Sequence, residues 1–439
     1  MSDQPMAQVS NLTIKGGRVI DPANSVDQVM DVHIADGKIL ALGSPPAGFQ
    51  AARIINADEQ VVCPGLIDLR ASLREPGREN KATIASETRA AAASGITALV
   101  CPPDTDPVID TPAVVDLINH RAKQSGLTRV LTTGALTQGL NGKQLAEMAA
   151  LRAAGCVGVS NALQAIESTQ VMRRAMEYAA SQNLLMFLHA EDPWLAKAGC
   201  AHEGEVSVRL GLPGIPEAAE TIAVARELQL VEQTGVRAHF CQLSSERAVK
   251  MIARAQYDGL PVTADVTAHH LYLTEMDIGF FDSQCHVRPP LRTQRDRDGL
   301  REAVKQGVIS VICSDHQPHD VDAKLAPFAS SEPGISGLET LLPLVLRLVD
   351  EDVLTLAEAI ARLTQQPAHI LGLLENLQGG SLSVGARADV CVFDPQQYWE
   401  VAPDKLLSQG KNTPFAGWEM KGKVTYTLLA GKLCFGSID

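Results

Sequence analysis

The chain has 439 residues, 45 % hydrophobic and 20 % charged, enough apolar material for one barrel-sized domain and a smaller one. Its formal net charge of −13 opposes nucleic acid and anionic membrane surfaces as partners. The nine cysteines never form a Cys-x-x-Cys pair, and several, such as Cys101 and Cys313, close apolar runs. They read as buried free thiols in a reducing, cytoplasmic compartment. The N-terminus has no basic segment followed by an apolar one, and no apolar run approaches the roughly 20 residues of a membrane span. Neither a signal peptide nor a membrane is expected.

Residues 1–62 open the chain with short β-type alternation and glycine turns, at 12–21 and 31–42. Residues 63–372 alternate apolar runs with helical patterns. Eight strands are predicted, at 66–70, 96–101, 129–135, 156–160, 184–189, 237–242, 262–267 and 308–314. Helices are predicted at 143–154, 169–181, 218–233, 244–255 and 294–305. Eight strand-helix units predict an α/β fold, a (β/α)8 TIM-type barrel. Chemistry in such a barrel sits where the strands end, and Arg70, Ser160, His189, Gln242 and Asp315 fall there. The stretch 320–336, with Pro327, Pro333 and Gly334, is a candidate lid, with a plain surface loop as the simpler reading. Residues 373–439 return to β-type alternation, so both chain ends are expected to build one small β-rich domain.

Several segments share one pattern. They are Leu73-Arg74-Glu75-Pro76-Gly77, Cys101-Pro102-Pro103-Asp104-Thr105, His189-Ala190-Glu191-Asp192 and His202-Glu203-Gly204-Glu205. Further along come Val266-Thr267-Ala268-His269-His270-Leu271, Arg288-Pro289-Pro290-Leu291-Arg292 and Ser314-Asp315-His316-Gln317-Pro318-His319. Over about residues 64–385 the chain resembles the dihydroorotase family of the amidohydrolase superfamily. The resemblance implies a site with two zinc ions that opens or closes a cyclic amide.

The ligand positions of that site are degenerate here. The family's Asp-x-His-x-His is Asp68-Leu69-Arg70-Ala71-Ser72, so Arg70 and Ser72 replace both histidines. A guanidinium has no lone pair to give and repels a cation. The bridging carboxylate after strand four is replaced by Asn161-Ala162, and the histidine after strand six by Gln242. His189 and Asp315 survive. No metal, no cofactor and no catalytic residue are therefore expected, Asp315 standing at the family's base position.

The resemblance places substrate-binding remnants at Arg74, Asp104, Arg288 and His319, with Asp104 and Arg288 where the family has asparagines. Asp104 and Arg288 are expected to join Arg70 and Asp315 in a salt-bridged plug. His189 is expected to be a hydrogen-bonded core residue, and His269 and His270 to be packed rather than catalytic. The function implied is that of a non-catalytic chain of pyrimidine biosynthesis in a homo- or hetero-oligomer. Its implied partner is the aspartate carbamoyltransferase catalytic chain. Two alternatives stay open: an active dihydroorotase or other amidohydrolase with a rebuilt, single-metal site, and a scaffold with another partner.

Overall fold

The computed structural model describes residues 11–437. Residues 1–10, on which the expectation of no signal peptide falls, and 438–439 lie outside the described residues. Eight strands form one parallel sheet: Leu66–Asp68, Ile96–Cys101, Arg129–Ala135, Gly158–Ser160, Leu185–Leu188, Ala238–Phe240, Val262–Thr267 and Val311–Cys313. Each pairs with the next in chain order. The first and last meet just past their ends. There a bridge joins Ala71 to His316, and Ser72 N donates to His316 O at 2.8 Å. The sheet is thus a barrel. Its interior is filled by Ile67, Leu69, Ala98, Val100, Phe187 and Val311, all buried.

The outer helices start where side chains satisfy their free N–H groups. Thr83 caps Ile84–Ala93, Ser245 caps Glu246–Tyr257, and Thr293 with Asp296 forms a capping box on Gln294–Gln306. Five of the eight strands are shorter than the apolar runs predict; Arg70, His189 and Gln242, for example, already belong to the loops above the barrel. The helix predicted at 143–154 is only Met148–Ala153, since Leu145 is drawn into a bridge with Thr137. Among the described residues, no helix is long and apolar enough to cross a membrane.

Two further sheets come from the chain ends. One joins Lys38–Leu42, Val32–Ala35, Leu12–Lys15 and Arg53–Asn56. The other runs Lys432–Phe435, Glu419–Leu429, Val390–Glu400, Val61–Pro64, Arg18–Asp21, Val26–Val29. In it Val390 pairs with Pro64, so early and late strands lie side by side. Ile14, Val19, Val32, Val62, Val390 and Leu428 share one apolar core between the sheets.

The loop 320–336 is fastened rather than free. Lys324 Nζ donates to the carbonyls of Ser283 and His286, His286 bonds Ser331, and Glu332 pairs with Lys81. It folds as two short turns, Asp322–Lys324 and Phe328–Ser330, packed on the barrel mouth.

Candidate functional site

Just past three strand ends, and in the loop after the first strand, the chain bends through left-handed backbone: Ala162 (φ 52°), Gln242 (φ 56°), Asp315 (φ 45°) and Arg74 (φ 61°). Such residues cost of order 1–3 kcal/mol each and concentrate at functional sites. Here they turn side chains over the barrel mouth.

The centre is an ion pair across the barrel seam. Arg70 Nε donates to Asp315 Oδ1 at 2.9 Å, with both residues almost fully buried. The same oxygen accepts from Gln242 Nε2 at 2.5 Å, and Gln317 Nε2 reaches both carboxylate oxygens at 3.2 and 3.1 Å. Burial pushes Asp315 up to about 6, while Arg70 and the two amides pull the other way. Burial works against the Arg70 charge, yet Asp315 and Asp104 hold its pKa above the ordinary value. Beneath the pair, Asp68 anchors the seam by accepting from Ser314 N at 2.9 Å and from the Ser314 hydroxyl. Burial raises Asp68 to about 6.

The expected four-membered plug is only partly present. Asp104 is half-buried and its charge reaches Arg70 and Arg74, but it makes no ion pair with another described residue. Arg288 is not in the plug. It turns to Glu191, its Nε donating at 3.0 and 3.3 Å. Glu191, just after the fifth strand, is nearer to it than Asp315, and a buried carboxylate requires a partner.

Arg74 and His319 do come together. Arg74 Nε donates to Pro318 O at 3.0 Å, and its Nη2 lies 3.2 Å from His319 Nε2. His319 Nε2 faces Pro333 O at 2.9 Å, and its Nδ1 accepts from Lys81 Nζ at 3.2 Å. Burial, with Arg74 and Lys81 beside it, lowers His319 to about 3, so the ring is neutral.

His189 departs from its expected hydrogen-bonded state. Neither buried ring nitrogen makes a well-formed hydrogen bond, though the Gln242 side chain is close enough to favour the protonated ring, and Arg70 Nη2, Ser72 Oγ and Gln242 Oε1 are likewise unsatisfied. Burial lowers His189 to about 4, Glu191 opposing and Arg288 and Arg70 adding to the effect. His269 and His270 are packed, ring against ring, His270 Nδ1 bonding Thr267 at 2.6 Å.

These residues do not fit a two-metal centre. Asn161 is spent on its own loop, accepting from Thr137 at 2.7 Å and donating to Gln164 O at 2.8 Å. The Asp315 carboxylate already receives a cation and two amides, and Arg70 sits where ligand nitrogens would be needed. Of the nitrogen and carboxylate donors that zinc prefers, His189 and Asp104 are left uncommitted at the mouth, too few for two metals and set beside the Arg70 cation.

Sequence reading passed over three buried groups. His239 Nε2 bonds Asp265 Oδ2 at 2.9 Å and its Nδ1 bonds Thr263 at 2.7 Å, inside the barrel. With Cys241 they form a group whose donor atoms lie within 4.8 Å, but both imidazole nitrogens are already bonded. Burial and Asp265 also push the Cys241 thiol well up. Period-two alternation from Cys241 back to His239 was the available signal. His316 Nε2 pairs with Glu87 at 2.7 Å, far apart in sequence.

The third is Glu227, beside a cavity that also touches Asn161, His189 and Arg226. Burial raises Glu227 to about 7, against the pull of Arg226. A carboxyl with a raised folded-state pKa holds its proton longer in the native state, so stability falls as pH rises from about 4.5 to about 7. Glu227→Gln is expected to remove about 3 kcal/mol of that decline. Urea denaturation at pH 4.5 and 8 checks this: the variant should match wild type at pH 4.5 and exceed it at pH 8. Parallel behaviour at both values would refute the assignment.

Comparison with known proteins follows the same lines. A family profile described as Dihydro-orotase-like matches residues 59–248, and one described as Amidohydrolase family matches 204–435. A Dihydroorotase-like protein of Pseudomonas putida is 52% identical, over 97% of this chain and 99% of that protein. A Dihydroorotase of Geobacter sp. (strain M21) is 42% identical over 97% and 99%. The L-hydantoinase structure from Arthrobacter aurescens superposes with a TM-score of 0.86 at 23% identity, covering 98% and 97% of the two chains. At that identity the likeness is one of fold.

Proposed function

The chain belongs to the dihydroorotase-like family of amidohydrolases, and from that premise we propose that it is a non-catalytic member. In this reading it works in the cytoplasm as an assembly partner of the aspartate carbamoyltransferase catalytic chain in pyrimidine biosynthesis. One observation carries it: the buried Arg70–Asp315 pair fills the point where the family's chemistry needs an electrophile and a base. A base must have a free lone pair within reach of the proton it takes. Asp315 Oδ1 is taken by Arg70, Gln242 and Gln317, Gln317 also reaches Oδ2, and the Arg70 cation opposes uptake of a proton by the carboxylate. Arg74 and His319 are locked to Pro318, Pro333 and Lys81 rather than open to a carboxylate substrate. What remains is a rigid barrel with a closed mouth, suited to support another chain.

The second reading is an amidohydrolase with a rebuilt site. The uncommitted ring nitrogen of the neutral His189 favours it, as do the relatives named Dihydroorotase. The two readings separate in one experiment. Co-expression with an aspartate carbamoyltransferase catalytic chain should give one species on size-exclusion chromatography, burying well over about 1,000 Å². Carbamoyltransferase activity should depend on this chain and change less than about twofold in His189→Ala, since a change inside the barrel mouth acts independently of a distant site on another chain. Two independently eluting proteins, with full carbamoyltransferase activity without this chain, would defeat the assembly role.

A further inference from the structure

The surface beside the closed mouth carries an apolar projection. The turn after barrel strand seven ends in Gly279-Phe280-Phe281, with Phe280 99 % exposed and Phe281 47 % exposed. Met276 precedes them and is also exposed. The loop after strand eight brings up Val321 and Leu325, both more than two-thirds exposed. The two segments are held together by the hydrogen bonds of Ser283 Oγ to Lys324 O at 2.6 Å and Lys324 Nζ to Ser283 O at 3.0 Å. These five side chains expose on the order of 600 Å², the top of the range for one patch on a monomer.

The backbone at the tip is strained. Phe281 has φ 67°, a left-handed conformation that a bulky residue rarely takes. Folding could bury the rings or relax the turn. Instead the turn is fixed by the Asp282 N to Ile278 O bond at 2.9 Å and keeps Phe280 in water. Strain and exposed aromatic surface at one point are both unfavourable for the isolated chain. A partner that covers the rings compensates both.

The charges around the patch say which kind of partner. Asp277, Asp282 and Asp322 are exposed, and segments 274–285 and 320–330 contain one cation, Lys324, which is buried on carbonyl oxygens; Arg209 of a neighbouring helix faces Glu275, alongside the acidic Glu205 and Asp296. A second copy of this face would bring like charges together, which costs several kcal/mol. We propose that the Phe280 projection is the docking site for a different protein chain, one presenting an apolar recess bordered by lysine or arginine. This rests on the assembly role above and gives that role its contact surface. Phe280 fills the recess, and the three aspartates set orientation and association rate.

The test uses the full-length chain with the co-expressed aspartate carbamoyltransferase catalytic chain. Phe280→Asp and Leu325→Asp should each weaken the complex at least tenfold by biolayer interferometry, with the melting temperature unchanged. Tyr257→Asp, exposed at the far end of the barrel, should have no effect. The triple change Asp277→Asn, Asp282→Asn, Asp322→Asn should slow association and flatten its salt dependence. If wild type forms the complex and Phe280→Asp binds within twofold of it, the projection is overturned while the assembly role stands. If no complex forms, both fall. If the chain alone dimerises and Phe280→Asp abolishes the dimer, the occupant is a second copy and the proposal is wrong.

Discussion

Arg70→Ala is expected to destabilise the protein by about 3–5 kcal/mol, the typical result of leaving one charge of a buried pair alone. Asp315 would keep only the Gln242 and Gln317 amides as partners. Its carboxyl, already raised to about 6 by burial, would rise further. The loss should therefore be full above that range and shrink as the pH falls and the carboxyl takes up a proton. Arg70→Met with Asp315→Leu should recover most of the loss, because no unpaired charge remains. Guanidinium denaturation at pH 8 and pH 5 measures both. A cost under about 1 kcal/mol for Arg70→Ala at pH 8 would mean the pair is not the structural centre of the site.

Returning two histidines is expected to restore nothing catalytic. Arg70→His with Ser72→His rebuilds the strand-one motif, but Asn161 remains tied to Thr137 and Gln164, and Gln242 offers an amide where an imidazole is needed. Asp104 still opposes a carboxylate substrate. Metals supply several kcal/mol of transition-state stabilisation, and each 1.36 kcal/mol is tenfold in rate. Turnover of dihydroorotate should stay at least ~10³-fold below that of an intact two-metal enzyme. Elemental analysis of dialysed wild type should give well under one zinc per chain. Robust turnover by the double variant, or stoichiometric zinc in wild type, would show that the ligand positions are misplaced.

The barrel was legible because short β-type, mostly apolar runs recur eight times between helical patterns. Ile96–Cys101, Arg129–Ala135 and Val262–Thr267 have the expected bounds, since nothing at their ends redirects the chain. Gln242 and Asp315 were read as strand ends, but their left-handed backbone is a property of close packing that residue type does not announce. The Arg70–Asp315 contact followed from two positions that the family brings together. The Arg288–Glu191 contact did not, because choosing between two carboxylates requires distances. His189 was expected to find a hydrogen bond; instead its ring nitrogens and the nearby Arg70 Nη2, Ser72 Oγ and Gln242 Oε1 are all left unsatisfied, a mismatch of orientation visible only in three dimensions.

The pairing of Val390–Phe393 with Val61–Pro64 also has a consequence for biosynthesis. Strand 61–64 leaves the ribosome some 330 residues before its neighbour, an interval of roughly tens of seconds at ordinary elongation rates. The barrel seam waits about three-quarters as long, because Ala71 meets His316. For that interval the nascent chain holds open, apolar strand edges, the form most prone to pair with the wrong neighbour. The chain therefore cannot fold unit by unit as it is made. Its yield depends on holding early segments apart until the last hundred residues arrive.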